Sequence, residues 1–385
     1  MKFRIPPVPL ARALQYAGRL INAQTPIPVL SGIQMTAHAN QTVHITSTDL
    51  ITQVVVRLPA DVEEPGTIIV AASTLTHLAS RIPPTIPVRL HVRNETLQVH
   101  YGKSRMNLKA LGDGDTLPEF PDMAPSTPDA NVPILQIPLS PALWASIQRV
   151  TAPAIDREES ASNILRGVGL TITPTDLIFE STDRSRIASI QTPNPTGTAS
   201  SQILSIPAKA MLALARWIDP LSEDAPAEGT LTLTPRFLRY ESTAITLTTR
   251  LIEGTFPNLR QAIPQTFVTT ITVPTDAMRY ALERTRIMTR QDHMPRVTLS
   301  IQPATQTLEI QSPGTEIGEA LEYLEMTGDG EALTLTFNPQ FLIDALSTLP
   351  DDTVTLRFAG AQAPVAISDT SEPPTAHYVL PMRSA

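Results

Sequence analysis

Six segments with apolar residues at helical spacing interrupt an otherwise strand-rich chain of 385 residues, at 9–22, 71–81, 140–150, 207–218, 274–290 and 338–349. The first, third and fifth begin 131 and 134 residues apart, and the second, fourth and sixth 136 and 131 apart. The order helix, strands, helix, strands therefore occurs three times. A chain of this length exceeds what one core usually supports, so three domains are expected. Other landmarks keep the same period. EFPDM at 119–123 and TFPNL at 255–259 close the first and second repeats 136 residues apart, and the tripeptide STD occurs at 47–49 and 181–183, 134 apart. Each STD follows an alternating apolar run, which predicts a Ser/Thr-Asp turn ending equivalent strands. The third repeat carries QSPGTEIGEA, from 311, in that place. Pro-rich DMAPSTPDANVP, 122–133, reads as a linker. The expected domains are 1–128, 129–258 and 259–385.

Period-two alternation marks short strands in VHITSTDL, TQVVVRL, VRLHV, TLQVHY, LTITP, LTLTP, ITLTTRL, VTLSI, TLEIQS, LTLTF and VTLRF. Strands adjacent in sequence with few long crossovers predict an α+β fold, antiparallel sheet with helices laid on one side. Most of the 37 prolines flank these runs, where they start helices or stop strands.

Composition narrows the chemistry. The chain has no cysteine, which excludes disulfides, thiolate nucleophiles and cysteine zinc sites. With 42% apolar and 17% charged residues it reads as a folded protein. No apolar stretch is long enough to span a bilayer, and the start, MKFRIPPVPLARAL, has prolines where a signal peptide needs an apolar helix, so a cytoplasmic location without membrane contact is expected.

Charge is unevenly placed. The net charge is −8, yet the six helical segments together carry +7, leaving −15 for the rest. Arg12 and Arg19, Lys209 and Arg216, and Arg279 and Arg286 are pairs at i and i+7, two helical turns apart and so on one face. Leu10, Leu14 and Ala17, and Met211, Leu214 and Ile218, supply the opposite apolar stripes. With Arg81, Arg149 and Arg290, these cations are arranged for phosphate contact without base reading. Aromatics for stacking on single strands are few (Tyr16, Trp144, Trp217), so duplex is the better match.

Catalytic constellations are sparse. Asp113 and Asp115 in GDGD at 112–115 form a candidate carboxylate pair for a metal, although the flanking glycines favour a turn, as they do for GDGE at 328–331. His38, His44, His77, His91, His100, His293 and His377 are scattered without metal-ligand spacing and read as surface or partly packed. No phosphate-binding loop, dinucleotide fingerprint or nucleophile elbow occurs. No cofactor is expected.

Motifs along the whole chain carry a family likeness: PIPVLSGI at 26–33, ITSTDL at 45–50, GKSRMNLKAL at 102–111, ILRGVGL at 164–170, ESTDRSRIA at 180–188, TRLIEGTFPNLRQAIP at 249–264, FNPQFLIDAL at 337–346, LRFAG at 356–360 and YVLPMR at 378–383. Together they resemble the bacterial DNA polymerase III beta subunit, the sliding clamp. The resemblance implies three repeated DNA-clamp domains, each with antiparallel sheet and two helices, closing as a head-to-tail homodimeric ring around duplex DNA without catalysis. It implies a partner-peptide pocket of Leu165, Thr182, Arg186, Ile187, Pro257, Asn338, Phe341, Val379, Leu380, Pro381, Met382 and Arg383, with an apolar floor and two arginines at its rim. Implied partners are the DNA polymerase III alpha subunit, the clamp loader and other proteins with a clamp-binding motif. Met106 of one subunit would meet Ile287 and Met288 of the other.

Four positions depart from the family pattern. Arg184 and Ser185 stand where many relatives have Gly-His beside the pocket, Gln24 replaces a DNA-contacting arginine, and Gln261 replaces a basic pocket residue. Two further readings stay open: a clamp-fold interaction scaffold, a duplicated copy with reduced DNA use, and an all-β metal-dependent hydrolase using Asp113 and Asp115.

Overall fold

The computed structural model describes residues 1–21, 25–111, 119–123, 135–139, 141–155, 163–197, 202–215, 229–289, 294–314, 318–370 and 375–382. Its helices are α1 (Pro7–Gly18), α2 (Ala72–Ala79), α3 (Pro141–Gln148), α4 (Ala152–Ile155), α5 (Ala208–Ala215), α6 (Thr275–Ile287) and α7 (Pro339–Ser347). The chain divides into two compact bodies, Met1–Trp144 with Ala210–Leu251, and Ala145–Lys209 with Ile252–Ala385.

The first body holds two antiparallel sheets. The smaller has the order Asp61–Glu64, Lys2–Ile5, Val88–Arg93, Thr96–Tyr101, Ser104–Lys109. The larger runs Leu135–Leu139, Gly229–Leu233, Phe237–Glu241, Ile245–Arg250, Thr52–Pro59, Thr42–Thr48, Gly32–His38, Gly66–Ala71. Its first four strands come from the second repeat and its last four from the first. The two sets meet in register from Ile245 opposite Val56 to Thr249 opposite Thr52. The second body repeats the plan. Its nine-stranded sheet joins Gln202–Pro207, Gly167–Ile172, Asp176–Thr182 and Arg186–Pro193 of the second repeat to Thr375–Val379, Val365–Ser368, Thr353–Phe358, Thr269–Pro274 and Thr327–Gly330 of the third. There the seam runs from Arg186 opposite Val379 to Ile190 opposite Thr375. A four-stranded sheet, Leu321–Glu325, Thr307–Gln311, Val297–Gln302, Leu333–Phe337, completes it. The repeats thus pair edge to edge, which removes exposed strand edges that would otherwise template aggregation.

The two STD sites are one device used twice. Ser47 donates its hydroxyl to the Ala17 carbonyl at 2.7 Å, and Ser181 donates to the Val150 carbonyl, so each serine caps an orphan carbonyl at or just beyond the end of its repeat's first helix. Thr48 donates to the Thr52 carbonyl at 3.0 Å and Thr182 to the Arg186 carbonyl at 2.7 Å. Asp49 Oδ1 accepts the amides of Ile51 and Thr52, and Asp183 Oδ1 those of Ser185 and Arg186. Both turns pass through a left-handed residue, Leu50 at φ 70° and Arg184 at φ 76°. The residue each turn delivers, Thr52 or Arg186, is the one that faces the next repeat across the seam.

Helix packing follows the apolar stripes. Leu10, Leu14 and Ala17 of α1 are fully buried, as are Met211 and Leu214 of α5, while Ile218 lies outside the described residues. The first helix begins at Pro7 rather than residue 9 and ends at Gly18 rather than residue 22. Prolines 7 and 9 sit in its first turn, where missing N–H groups cost nothing. The 140–150 segment forms the single helix α3, and the short α4 follows beyond its end.

Three expectations fail here. GDGE is not a turn: Thr327–Gly330 is a strand paired with Thr269–Thr272. Its glycines are required, since Gly328 has φ +155° and a Cβ there would lie 2.2 Å from the Thr270 carbonyl oxygen. Trp144 is 1% exposed and is no stacking platform; Tyr16 is half-buried beneath the Arg19 guanidinium, and Trp217 lies outside the described residues. His377 is fully buried rather than superficial, on the seam strand, with Nε2 2.8 Å from Thr348 Oγ1 at the end of α7.

Burial, with the Arg186 and Arg149 charges nearby, lowers the His377 pKa from 6.5 to about 3. His44, 4.2 Å from His38 between ring centroids, is lowered to about 4, chiefly by burial. A histidine held neutral in the fold but protonated when unfolded stabilises fully above pH 6.5 and loses that stability as pH falls towards its folded value. Urea unfolding should therefore show a stability loss below pH 6.5 approaching about 1.4 kcal/mol per pH unit from each group. His377→Gln should flatten that slope by one proton; an unchanged slope would contradict the assignment.

Candidate functional site

In the second body, the seam strands alternate sides. Arg186, His377 and Val379 turn inward towards α7, and Ile187 and Tyr378, cross-strand partners, turn to the opposite face. That face floors a cavity of about 560 Å³ lined by Ile164, Leu165, Thr182, Arg184, Ser185, Arg186, Ile187, Thr255, Pro257, Leu259, Ala262, Pro364, Tyr378 and Leu380. The size falls within the range of about 300–1,000 Å³ usual for ligand pockets. Under it lies a small cluster of Ile187, Phe256 and Leu259, with Ile164 and Tyr378 packed against it. Phe256 rests on bare backbone: a Cβ at Gly169 would come within 2.4 Å of its ring. Burial raises the Tyr378 phenol pKa, so it stays neutral.

Three local structures shape the walls. The 3-10 turn Asn163–Arg166 presents Leu165, the turn Leu259–Ala262 is capped by Asn258, whose side chain accepts from the Arg260 amide, and the second STD turn presents Thr182 and residues 184–187. The last strand is pinned beside them, since the Leu380 amide donates to the Ser185 carbonyl at 2.9 Å and the Met382 amide to the Thr336 carbonyl at 2.7 Å.

Of the residues expected to form the pocket, Leu165, Thr182, Arg186, Ile187, Pro257 and Leu380 line this cavity together. Asn338, Phe341, Val379, Pro381 and Met382 do not line it. Asn338 caps α7 by accepting from the Gln340 amide, and Val379 is 1% exposed in the core of the third repeat. Arg383 lies outside the described residues. Sequence reasoning missed Ile164, Thr255, Leu259, Ala262, Pro364 and Tyr378.

Arg186 departs from the expected rim cation. Its side chain is 3% exposed, Nε lies 3.0 Å from Asp183 Oδ2, Nη1 lies 2.6 Å from Asp344 Oδ2, and the guanidinium sits 4.4 Å over the Phe341 ring. The STD turn is thereby bolted to α7, with the charge neutralised inside the wall. Removing one partner of such a buried cluster strands the others, so Arg186→Met should cost about 3–5 kcal/mol in urea unfolding. A loss below 1 kcal/mol, on the order of an exposed pair, would contradict this reading.

The expected DNA-facing cations divide. Arg12, Arg19, Arg81, Lys209 and Arg286 are exposed. Arg149 is not an outward-facing charge: it is half-buried 3.6 Å from the buried carboxylate of Asp369. Arg279 is clasped between Asp276 at 2.9 Å and Glu283 at 3.0 Å, which push its pKa up. Arg284 is bound by both oxygens of Glu322. Arg216, Arg290 and Gln24 lie outside the described residues, as do Asp113 and Asp115. Among the described residues no three potential ligands gather for a metal ion, and no helix is long and apolar enough to cross a membrane.

Met106 is 43% exposed on Ser104–Lys109, the edge strand of the five-stranded sheet. Ile287, 58% exposed, and the half-buried Met288 end α6, against which the edge strand Leu321–Glu325 packs. That strand exposes Leu321 and Tyr323, an apolar pair the sequence reading did not single out.

Comparison with known proteins agrees with this architecture. Residues 1–121, 140–258 and 260–383 match, in order, the N-terminal, central and C-terminal domains of the DNA polymerase III beta subunit. The chain belongs to that family and consists of three clamp domains. It is 26% identical to the beta sliding clamp of Bacillus subtilis and 27% identical to that of Caulobacter vibrioides, each over 100% of both chains. Among solved structures, the Bacillus subtilis DNA polymerase sliding clamp superposes with TM-score 0.82 at 26% identity, covering both chains completely. A Bartonella birtlesii sliding clamp bound to griselimycin gives TM-score 0.85 at 22% identity, again over 100% of both chains, a likeness of fold. The function these relatives support is that of a DNA clamp in replication.

Proposed function

We propose that two copies of this chain close head to tail into a ring that encircles duplex DNA and tethers the replicative polymerase, without catalysing a reaction itself. The observation that carries this reading is the full-length match, three clamp domains in order over nearly all of the chain. The domains are taken as 1–128, 129–258 and 259–385. A ring needs only weak, sequence-independent phosphate contacts, because topology supplies retention. Arg12, Arg19, Arg81, Lys209 and Arg286 are exposed and suit that role, whereas Arg149 lies half-buried beside Asp369. Tethering raises polymerase concentration at the primer end, the source of processivity. The DNA polymerase III alpha subunit, the clamp loader and other motif-bearing proteins would take turns at the cavity beside the seam, and all of this would occur in the cytoplasm. The scaffold alternative has no observation in its favour beyond the departures at Arg184, Ser185, Gln24 and Gln261.

Two exposed strand edges support this closure. Ser104–Lys109 carries exposed Arg105 and Lys109 beside Lys103, and Leu321–Glu325 carries Glu325 beside Glu319, with Glu322 already held by Arg284, each around exposed apolar residues. One edge is basic and the other acidic, so strand addition between copies would bring complementary charges together. Sedimentation should give a dimer, and Arg105→Glu should weaken it about tenfold. Pairing Arg105→Glu with Glu325→Arg should recover part of the loss; a dimer indifferent to both would place the interface elsewhere.

The functional test is primer extension on a primed single-stranded circle with the cognate polymerase and loader under single-binding conditions. Products should lengthen to the full circle only when this chain is present. Unchanged product lengths would overturn the proposal.

A further inference from the structure

Among the described residues, the cavity's lining contains two cations, Arg184 and Arg186, and no carboxylate, in a chain with net charge −8. Arg186 is spent on Asp183 and Asp344 within the wall. Arg184 is exposed at the lip, and its side chain has no carboxylate partner within ion-pair distance among the described residues. The rest of the lining is largely apolar: Ile164, Leu165, Ile187, Leu259 and Leu380 among others.

The backbone at this lip adds a second observation. Arg184 holds φ 76°, a left-handed conformation that glycine or asparagine adopts with less strain. The turn itself does not call for arginine, because the same hydrogen bonds in the first STD turn are made around Leu50 at φ 70°. The turn is held by Thr182 and Asp183, which bond the amides of residues 184, 185 and 186, and none of those bonds uses the Arg184 side chain. An arginine is therefore carried in a costly conformation, with its guanidinium beside an apolar cavity and outside the turn's own bonding.

We infer that Arg184 is a specificity determinant of this cavity, selecting peptides that place an acidic side chain next to the apolar residue seated on Ile187 and Leu380. This rests on the reading of the cavity as a peptide site. An apolar side chain entering the floor excludes water from the lip, and a neighbouring carboxylate there makes a charge-assisted bond to the guanidinium. A peptide with a basic residue in that position would be repelled, so selection works by exclusion as well as attraction.

The test uses the full-length protein and two capped six-residue peptides, each with Leu and Phe as apolar anchors and differing only in Asp or Asn beside the Leu. Fluorescence anisotropy at low salt should show the Asp peptide binding about fivefold more tightly, a preference that shrinks as salt is raised. Arg184→Gln should abolish the preference by weakening the Asp peptide to the level of the Asn peptide, and Arg184→Lys should restore part of it. Equal affinity of the two peptides for the unaltered protein, or a preference that survives Arg184→Gln, would overturn the inference while leaving the peptide site standing. Binding of neither peptide would overturn the peptide site, and this inference with it.

Discussion

Everything in this chain hangs on strand pairing between successive repeats. A clamp repeat alone leaves strand edges of unpaired amides and carbonyls, and the chain resolves this by joining the edge of one repeat to the edge of the next, at Thr52 opposite Thr249 and at Arg186 opposite Val379. Each seam needs its strand to leave a tight turn in the correct register, because a slip of one residue would exchange its two faces. The STD tripeptides supply that precision. Serine ties the turn to the repeat's first helix or the residues just beyond it, threonine and aspartate bond the turn's own backbone, and the fifth residue on from the serine enters the seam.

The two seams have the same skeleton and different chemistry. At the first, Thr52 and Thr249 hydroxyls meet at 2.9 Å, a neutral contact. At the second, the equivalent of Thr52 is Arg186, whose guanidinium locks Asp183 of the turn to Asp344 of α7 and stacks on Phe341. That lock fixes one wall of a cavity whose floor, Ile187 and Tyr378, is the other face of the same two strands. The cavity at the second seam is thus built from the two faces of strands that also join the repeats.

Much of this was legible before any coordinates. The threefold period placed all six helical segments, and the paired STD sites identified equivalent turns, because local hydrogen-bonding residues leave a local signature. Six pocket residues, Leu165, Thr182, Arg186, Ile187, Pro257 and Leu380, were found through family likeness rather than periodicity. What escaped was non-local. No pattern around residue 186 says that its charge is cancelled by Asp344, 158 positions away. The same holds for Arg149 with Asp369, and for Tyr378 and Pro364, which join the cavity only through the sheet. GDGE was misread because glycines that permit a turn also permit the close backbone approach of an edge strand.

The central claim, a closed ring that holds DNA by topology, is tested most directly by loading the protein onto nicked circular DNA, isolating the complex in moderate salt and then cutting the circle once. A ring predicts retention on the intact circle and loss from the cut molecule, with retention recovered when both ends are blocked by bulky protein. Equal retention on intact and cut DNA would mean that the chain grips DNA by contact, and would contradict the account.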